Sequence, residues 1–264
     1  NTLNPRIIFV GGSNLSFGLN SSMIKDSLKL NPVNTAIHAS IGLQHMMDNT
    51  IQYIKENDIV VLSPEYSHFY GQSVYGGEEL IRTVAHVKFL KLESKQIINI
   101  YEYLPKLFFT RLNPFEYFNL KESDVYSVNS FNNFGDVYKH WGLQQRKFQP
   151  HSTFKTQYNP NTIKLINNFR LKLKEKKAKL YITYPCYQES SFDNNVRQIK
   201  KIELELSKYN FKILGTPERY CFNDSLMFNS PYHLSKDGLY YRTQLLIDDI
   251  KKAPTTNYIY PDAK

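Results

Sequence analysis

The hydroxyl of Ser13 and the imidazole of His233 are of the right types, and in the right settings, for nucleophilic catalysis. Ser13 follows the apolar run IIFV (residues 7–10) and two glycines, so its hydroxyl is placed where the backbone turns. A serine becomes a useful nucleophile when a base, usually histidine, takes its proton. Among the seven histidines, His233 lies in the proline-containing segment FNSPYHLS, just before a helix that Ser235 is predicted to cap. This pair could support nucleophilic catalysis by a serine; the alternatives are a glycine-softened turn at Ser13 and a surface or cap histidine at His233.

Elements that could position these residues recur at both ends of the chain. Apolar runs predict strands at residues 7–10, 58–63, 179–185 and 211–214, with a further short strand ending at Ala39 to Gly42. Helices between them are indicated by apolar residues at helical spacing: Ile24 and Leu28; Leu43, Met47, Ile51 and Ile54; Ile163, Ile166, Phe169 and Leu173; Val196, Ile199, Ile202 and Leu206; and Leu239, Leu246 and Ile250.

This alternation predicts an α/β fold, a three-layer sandwich with a mostly parallel central sheet. Such sheets bind ligands at the carboxyl ends of their strands. Ser13, Gly42 and the segment after Ser63 all lie at such ends. The sequence therefore predicts a single site at this edge of the sheet.

The alternation breaks between residues 68 and 160. Leu80, Val84, Val87 and Leu90 predict one helix, and Ile97, Tyr101 and Leu104 predict a second, before an aromatic, Asn-rich stretch without clear periodicity. Long insertions are often lids or substrate-binding elaborations, and a helical cap that only packs is the alternative. We predict one domain over residues 1–264 with a largely helical insertion or cap at roughly 68–160.

Composition narrows the possible partners. The chain has 264 residues, 41% hydrophobic and 22% charged, which is typical of a globular protein with a sizeable core. Cys186 and Cys221 are too few for a metal cluster or a disulfide framework, and their pairing stays open. The net charge of +9 comes without nucleic-acid-binding motifs, so we expect no nucleic-acid partner. An acidic glycan or a membrane surface fits the charge equally well.

The two ends of the chain together resemble the SGNH, or GDSL-like, hydrolase family. Its nucleophile lies in a Gly-Asp-Ser block after the first strand, which here reads Gly11-Gly12-Ser13. A family glycine after the second strand helps to bind the oxyanion, and Gly42 matches it. The family histidine ahead of the final helix matches His233. The resemblance covers both ends but not the insertion. It implies a flavodoxin-like strand order, an acyl-enzyme at Ser13, oxyanion binding by the N–H groups of Ser13 and Gly42, and no metal or organic cofactor.

This sequence departs from the family pattern in the oxyanion block that follows the third strand. That block usually supplies an Asn side chain, but the segment here reads SPEYSHFYG. Asn14 or Tyr66 is the candidate replacement donor. Glu65, Tyr66 and His68 lie where the sheet meets its cleft, so we expect them to contact substrate.

The acid that should orient His233 is the second open point. Asn229 lies four positions before it, and the nearest upstream carboxylate is that of Asp224. We expect Asn229, or alternatively Asp224, to hold the imidazole. Asn can orient a histidine, but it stabilises the imidazolium charge less well than a carboxylate does.

The pattern also resembles a family branch from bacterial surface-polysaccharide systems, the alginate-type O-acetyltransferases and the exported proteins of teichoic-acid D-alanylation. That resemblance implies an exported, cell-envelope protein, with a membrane anchor outside this chain, acting on an acylated carbohydrate or small ester. A catalytically weak or inactive scaffold that binds glycan or a protein partner is the alternative. Asp136 and His140 stand at helical spacing, but two potential ligands do not make a metal site, so we predict none.

Overall fold

The centre of the protein is a five-stranded parallel sheet. In the computed structural model, which describes residues 4–86, 92–105, 125 and 127–253, its strands are β1 (Arg6–Gly11), β2 (Asn31–Asn34), β3 (Ile59–Ser63), β4 (Lys179–Thr183) and β6 (Ile213–Leu214). They lie in the order β2-β1-β3-β4-β6, and every paired neighbour is parallel. Counted within the sheet this is the order 2-1-3-4-5, as in flavodoxin-like doubly wound sheets.

Helices cover both faces of this sheet. They are α1 (Ser13–Ser16), α2 (Ser21–Leu28), α3 (Leu43–Thr50), α4 (Glu78–His86), α5 (Ser94–Tyr101), α6 (Asn161–Glu175), α7 (Glu189–Asp193), α8 (Val196–Ser207) and α9 (Lys236–Lys252). Two small sheets complete the described elements: β5 (Tyr187–Gln188) pairs with β7 (Cys221–Phe222) in parallel, and β8 (Met227–Ser230) pairs with β9 (His233–Leu234) in antiparallel fashion.

The side chains of β1 divide the interior into two cores, because successive residues of a strand point to opposite faces. Ile8 and Val10 belong to the core that contains residues of α3, α6 and α8. Ile7 and Phe9 belong to the core that contains residues of α2 and α9. Every residue of β1 and β3 is buried, which explains why these strands read as continuous apolar runs. The α/β fold is confirmed, and the layers fit a three-layer sandwich.

The second strand is the main difference from the sequence prediction. The pattern placed its end at Ala39 to Gly42, but β2 ends at Asn34 and residues Ala39–Ile41 form a 3-10 turn. The Nδ1 atom of His38 accepts a hydrogen bond from the N–H of Ser40 at 3.1 Å and caps this turn. After Thr35, whose N–H still donates to the carbonyl of Phe9 at 3.0 Å, the chain leads into this turn instead of continuing the strand.

Other boundaries differ slightly. The predicted helix over Leu43 to Ile54 is α3 followed by a 3-10 turn at Ile51–Tyr53, and the strand predicted at 211–214 is the two-residue β6. Val87 and Leu90, predicted to extend the first helix of the insertion, lie outside the described residues. None of the described helices combines the length and the apolar character needed to cross a bilayer.

The described part of the insertion is tied to the sheet by a buried carboxylate. Asp136 accepts hydrogen bonds from the N–H and Oγ of Ser21 at 2.8 and 2.7 Å and from Nδ2 of Asn34 at 2.9 Å. Asp136 lies outside any helix, while His140 lies in a 3-10 turn at Lys139–Gly142, so the expected helical spacing of this pair is wrong. Within the described ranges, no group of three His, Cys, Asp or Glu side chains could hold a metal ion.

Candidate active site

Ser13 lies at the corner where β1 becomes α1, at the carboxyl edge of the sheet. Its side chain is nearly closed off, with 6% of its surface exposed. A Cβ atom at Gly12 would lie 2.5 Å from Oε1 of Glu65. Glycine at this position therefore makes room for the carboxylate as it is placed here, and a side chain such as the aspartate of the family block would require Glu65 to move.

Glu65 occupies that space, directly beside the serine. Its Oε1 lies 3.4 Å from Oγ of Ser13, and it accepts the backbone N–H of Asn14 at 3.2 Å. Only 3% of Glu65 is exposed. Burial raises the pKa of Glu65 to about 7, although the hydrogen bonds from Asn14 and Ser13 and the positive charge of Arg242 act in the opposite direction. The sequence predicted a substrate contact at the cleft, whereas the carboxylate lies inside the serine corner.

His68 holds Glu65 in place through a reciprocal pair of bonds. The N–H of Glu65 donates to Nδ1 of His68 at 3.1 Å, while the Glu65 side chain caps the backbone N–H of His68. Because Nδ1 accepts, Nε2 carries the proton and donates to the carbonyl of Ala39 at 3.1 Å. Burial lowers the pKa of His68 to about 4, so the ring is neutral.

The expected substrate contacts of Tyr66 and His68 are corrected by their burial. Both side chains lie below the surface, with 1% and 0% of their areas exposed. The N–H of Tyr66 donates to the hydroxyl of Tyr232 at 3.1 Å, which ties this turn to the His233 loop. Both residues position the backbone rather than face the cleft.

A buried arginine braces the corner from below. Arg242 of α9 donates through Nη1 to the carbonyl of Asn14 and through Nη2 to Oδ1 of Asn14 at 3.1 Å. The same Oδ1 accepts from Oγ of Ser63 at 2.9 Å, and Nδ2 of Asn14 donates to the carbonyl of Ser63 at 3.2 Å. The Asn14 amide is therefore a structural brace, which corrects its expected role as an oxyanion donor.

Arg242 is the residue at this site that the sequence reasoning missed. It is fully buried, and it falls on the apolar stripe of α9 between Leu239 and Leu246. A charged residue on an apolar helix face needs a buried partner. The position of Arg242 on this face could therefore have identified it from the sequence.

His233 approaches the corner from the other end of the chain, on β9. Its Nδ1 lies 2.7 Å from Oδ1 of Asn229. An amide oxygen only accepts, so Nδ1 carries the proton and Nε2 is the unprotonated nitrogen of the ring. The ring stacks on Phe17 with centroids 4.1 Å apart, and the N–H of Phe17 donates to the carbonyl of Ser13 at 2.9 Å. The ring of His233 therefore packs on Phe17, the residue that ends α1.

Burial makes His233 a weak base in this state. It lowers the pKa of His233 to about 3, and His140 and His38 add to the effect because their positive forms would repel an imidazolium. His140 itself packs against Phe17 and Phe228, with ring centroids 4.9 and 5.3 Å apart.

The alternative partner, Asp224, serves a different part of the molecule. Its two carboxylate oxygens accept hydrogen bonds from Nε2 of Gln188 at 3.0 Å and from the Oγ and N–H of Ser190 at 2.6 and 3.1 Å. Asp224 therefore fixes the start of α7. Of the two predicted partners, Asn229 is the one in hydrogen-bond contact with Nδ1 of His233.

Gly42 has a structural reason to be glycine that does not involve an oxyanion. Its φ is 87°, and its N–H donates to the carbonyl of Ala39 at 2.9 Å. A side chain here would also meet the backbone of Gly76. Its predicted oxyanion-binding N–H is thus engaged in a turn. The N–H of Ser13, at the first position of a helix, has no partner within that helix.

Neither cysteine extends the site. Cys186 and Cys221 are both free thiols, which settles the pairing that the sequence left open. Buried Cys186 lies beneath the corner and donates to the carbonyl of Tyr232 at 3.0 Å.

No family model matches this chain, and no curated protein matches it either. A function can therefore be argued from the chemistry of the site.

Proposed function

We propose that the protein is a serine-dependent carboxylester hydrolase or O-acyltransferase that works through an acyl-enzyme at Ser13. The observation that carries this proposal is the setting of His233. Asn229 fixes its tautomer so that Nε2 is the unprotonated nitrogen, and the ring stacks on Phe17, four residues after Ser13 in the chain. A serine, an oriented base and a third group that orients the base form the general arrangement of nucleophilic catalysis.

The proposed reaction has two half-reactions. Oγ of Ser13 attacks the acyl carbon while its proton moves to Nε2 of His233, and the leaving alkoxide then takes that proton. Water or a sugar hydroxyl next attacks the acyl-enzyme, which gives hydrolysis or transfer. The N–H of Ser13 donates to the oxyanion. Acetyl or other short acyl groups on a carbohydrate or cell-envelope glycan are the proposed substrates, and export of the protein belongs to the same proposal.

A second candidate is a catalytically weak or inactive scaffold of this fold that binds glycan or a protein partner. The hydrogen bonds of Gly42 and Asn14 favour it, because both expected oxyanion donors are engaged elsewhere. Loss of one oxyanion donor typically lowers turnover by about 10² to 10³.

A fluorophosphonate probe separates the two candidates, since it reacts with activated serines. We expect it to label the wild-type protein and to leave Ser13→Ala unlabelled. Ser40→Ala is the matched control, because Ser40 is an exposed serine on the neighbouring turn. This control should be labelled as the wild type is. Absence of label on folded wild-type protein would favour the scaffold.

A further inference from the structure

Glu65 is in direct contact with the hydroxyl of Ser13. Oγ of Ser13 donates to Oε1 of Glu65 at 3.4 Å. We infer that Glu65 is a second proton acceptor for Ser13, beside the proposed acceptor His233. This inference rests on the proposed acyl-enzyme chemistry and adds a catalytic residue to it.

The surrounding structure is built to hold a carboxylate at this place. Gly12 leaves the space that Oε1 occupies, since a Cβ atom there would lie 2.5 Å from it. The N–H of Asn14 donates to the same oxygen at 3.2 Å, and the capping pair with His68 holds the other end of the residue. His68 is anchored in turn to the carbonyl of Ala39. The carboxylate is therefore preorganised against the reacting oxygen, as a base needs to be.

The charge distribution is consistent with proton acceptance near neutral pH. The titratable or charged groups that interact with Glu65 are Arg242, Cys186, Tyr187, Tyr232 and, through its backbone, His68. Of these groups, Arg242 carries a full charge, and it reaches Glu65 through Asn14. Burial raises the pKa of Glu65 to about 7, whereas that of His233 is about 3. A base whose pKa lies near the working pH transfers protons most effectively.

In the proposed step, one proton moves from Ser13 to Glu65 and then to the leaving group. The O–H bond of Ser13 breaks as its Oγ bonds to the acyl carbon, and the proton moves to the Glu65 carboxylate. Collapse of the tetrahedral intermediate then breaks the ester bond, and Glu65 returns the proton to the leaving alkoxide. With a fluorophosphonate, Oγ bonds to phosphorus, fluoride leaves, and Glu65 keeps the proton until solvent removes it.

The test is the second-order rate constant of fluorophosphonate labelling, measured from pH 5 to 9 for wild type and Glu65→Gln. Glutamine keeps the size and one acceptor oxygen but does not take up a proton. We expect the wild-type rate to rise with pH through about 7. We expect Glu65→Gln to be slower at pH 8 by about 10² or more and to show no such rise. Exposed Glu56→Gln, which removes a surface carboxylate, should behave as wild type does.

The outcomes separate this inference from the proposed function. Labelling of wild type and of folded Glu65→Gln at equal rates would overturn the role of Glu65 and leave the serine chemistry standing. Absence of label on folded wild-type protein would contradict both the role of Glu65 and the proposed serine chemistry. If Glu65→Gln does not fold, the wild-type profile decides. The six histidines with described side chains all have pKa values lowered from 6.5, so a rise near pH 7 that persists in His86→Gln points to Glu65, and a flat profile contradicts it.

Discussion

Glu65 and His233, the two residues proposed to accept the Ser13 proton, are almost equally buried, yet burial changes their chemistry in opposite directions. For the carboxyl group, the charged form is the deprotonated one, so burial raises the pKa to about 7. For the imidazole, the charged form is the protonated one, so burial lowers the pKa to about 3. The Glu65 carboxylate is therefore a stronger base than the His233 imidazole.

This comparison shows why residue type alone is a poor guide to a catalytic role. Histidine is usually chosen as the base because its ordinary pKa lies near neutrality. Here burial gives Glu65, and not His233, a pKa near neutrality. What His233 retains is orientation, because Asn229 and Phe17 fix its ring.

The largest expected effect is on the His233 side. His233→Ala removes the ring proposed to accept the Ser13 proton and leaves Glu65, the stronger base, as the remaining proposed acceptor. We expect the labelling rate to fall by about 10², the lower end of the usual contribution of general base catalysis, because Glu65 remains. The melting temperature should be compared in parallel to show that the protein is folded. A rate within a factor of two of wild type would assign the whole base function to Glu65.

The next expected effect is on the pH dependence of the unfolding free energy, to which Glu65 and His233 contribute with opposite signs. The folded protein holds the Glu65 proton more tightly than the unfolded chain does, because the pKa rises from an ordinary value of 4.5 to about 7. The stabilisation from this neutral carboxyl is present below about pH 4.5 and is lost as pH rises through about 7. Stability linked to His233 has the opposite dependence. It is present above pH 6.5 and is lost as pH falls towards about 3.

Urea unfolding at a series of pH values measures the Glu65 contribution. The unfolding free energy of wild type relative to Glu65→Gln should fall by about 3 kcal/mol between pH 4.5 and 8, from the size of the pKa change. The contribution of His233 is common to both proteins and cancels. A difference that is constant with pH would mean that Glu65 keeps an ordinary pKa.

The smallest expected effect concerns the partner of His233. Asn229→Ala frees the ring to take the other tautomer, and we expect labelling to slow by about tenfold, the equivalent of one hydrogen bond of about 1.4 kcal/mol. Asn229→Asp should label faster than wild type, since a carboxylate stabilises the imidazolium form. Asp224→Asn is the control, because Asp224 is bound to Gln188 and Ser190. A loss of labelling in the Asp224 variant, with Asn229→Ala unaffected, would exchange the two assignments.

Much of the fold could be predicted because its signals are local. The strands β1 and β3 are fully buried and therefore appear as unbroken apolar runs between turn residues. The helices around the sheet follow from their apolar spacing. The end of β2 could not be predicted in the same way, since its last residue, Asn34, makes hydrogen bonds to Phe134 and Asp136, which are distant in the sequence.

The site was only partly predictable for a similar reason. Ser13 was chosen from its place after the first strand, His233 from its proline-containing loop before a capped helix and from the family resemblance, and Asn229 from its short separation from His233. The segment containing Glu65 was recognised, but its carboxylate points inward because the chain turns back after Pro64 to pair with His68. That direction depends on contacts with α1, which the sequence of the segment does not contain.

The central claim is that Ser13 forms the covalent bond to the acyl group. The most direct measurement is the mass of the intact wild-type protein after treatment with a fluorophosphonate, followed by peptide mapping of the modified residue. The account predicts a single adduct on the peptide that contains Ser13, with no adduct on Ser13→Ala. An unmodified but folded wild-type protein, or an adduct on a different residue, would contradict it.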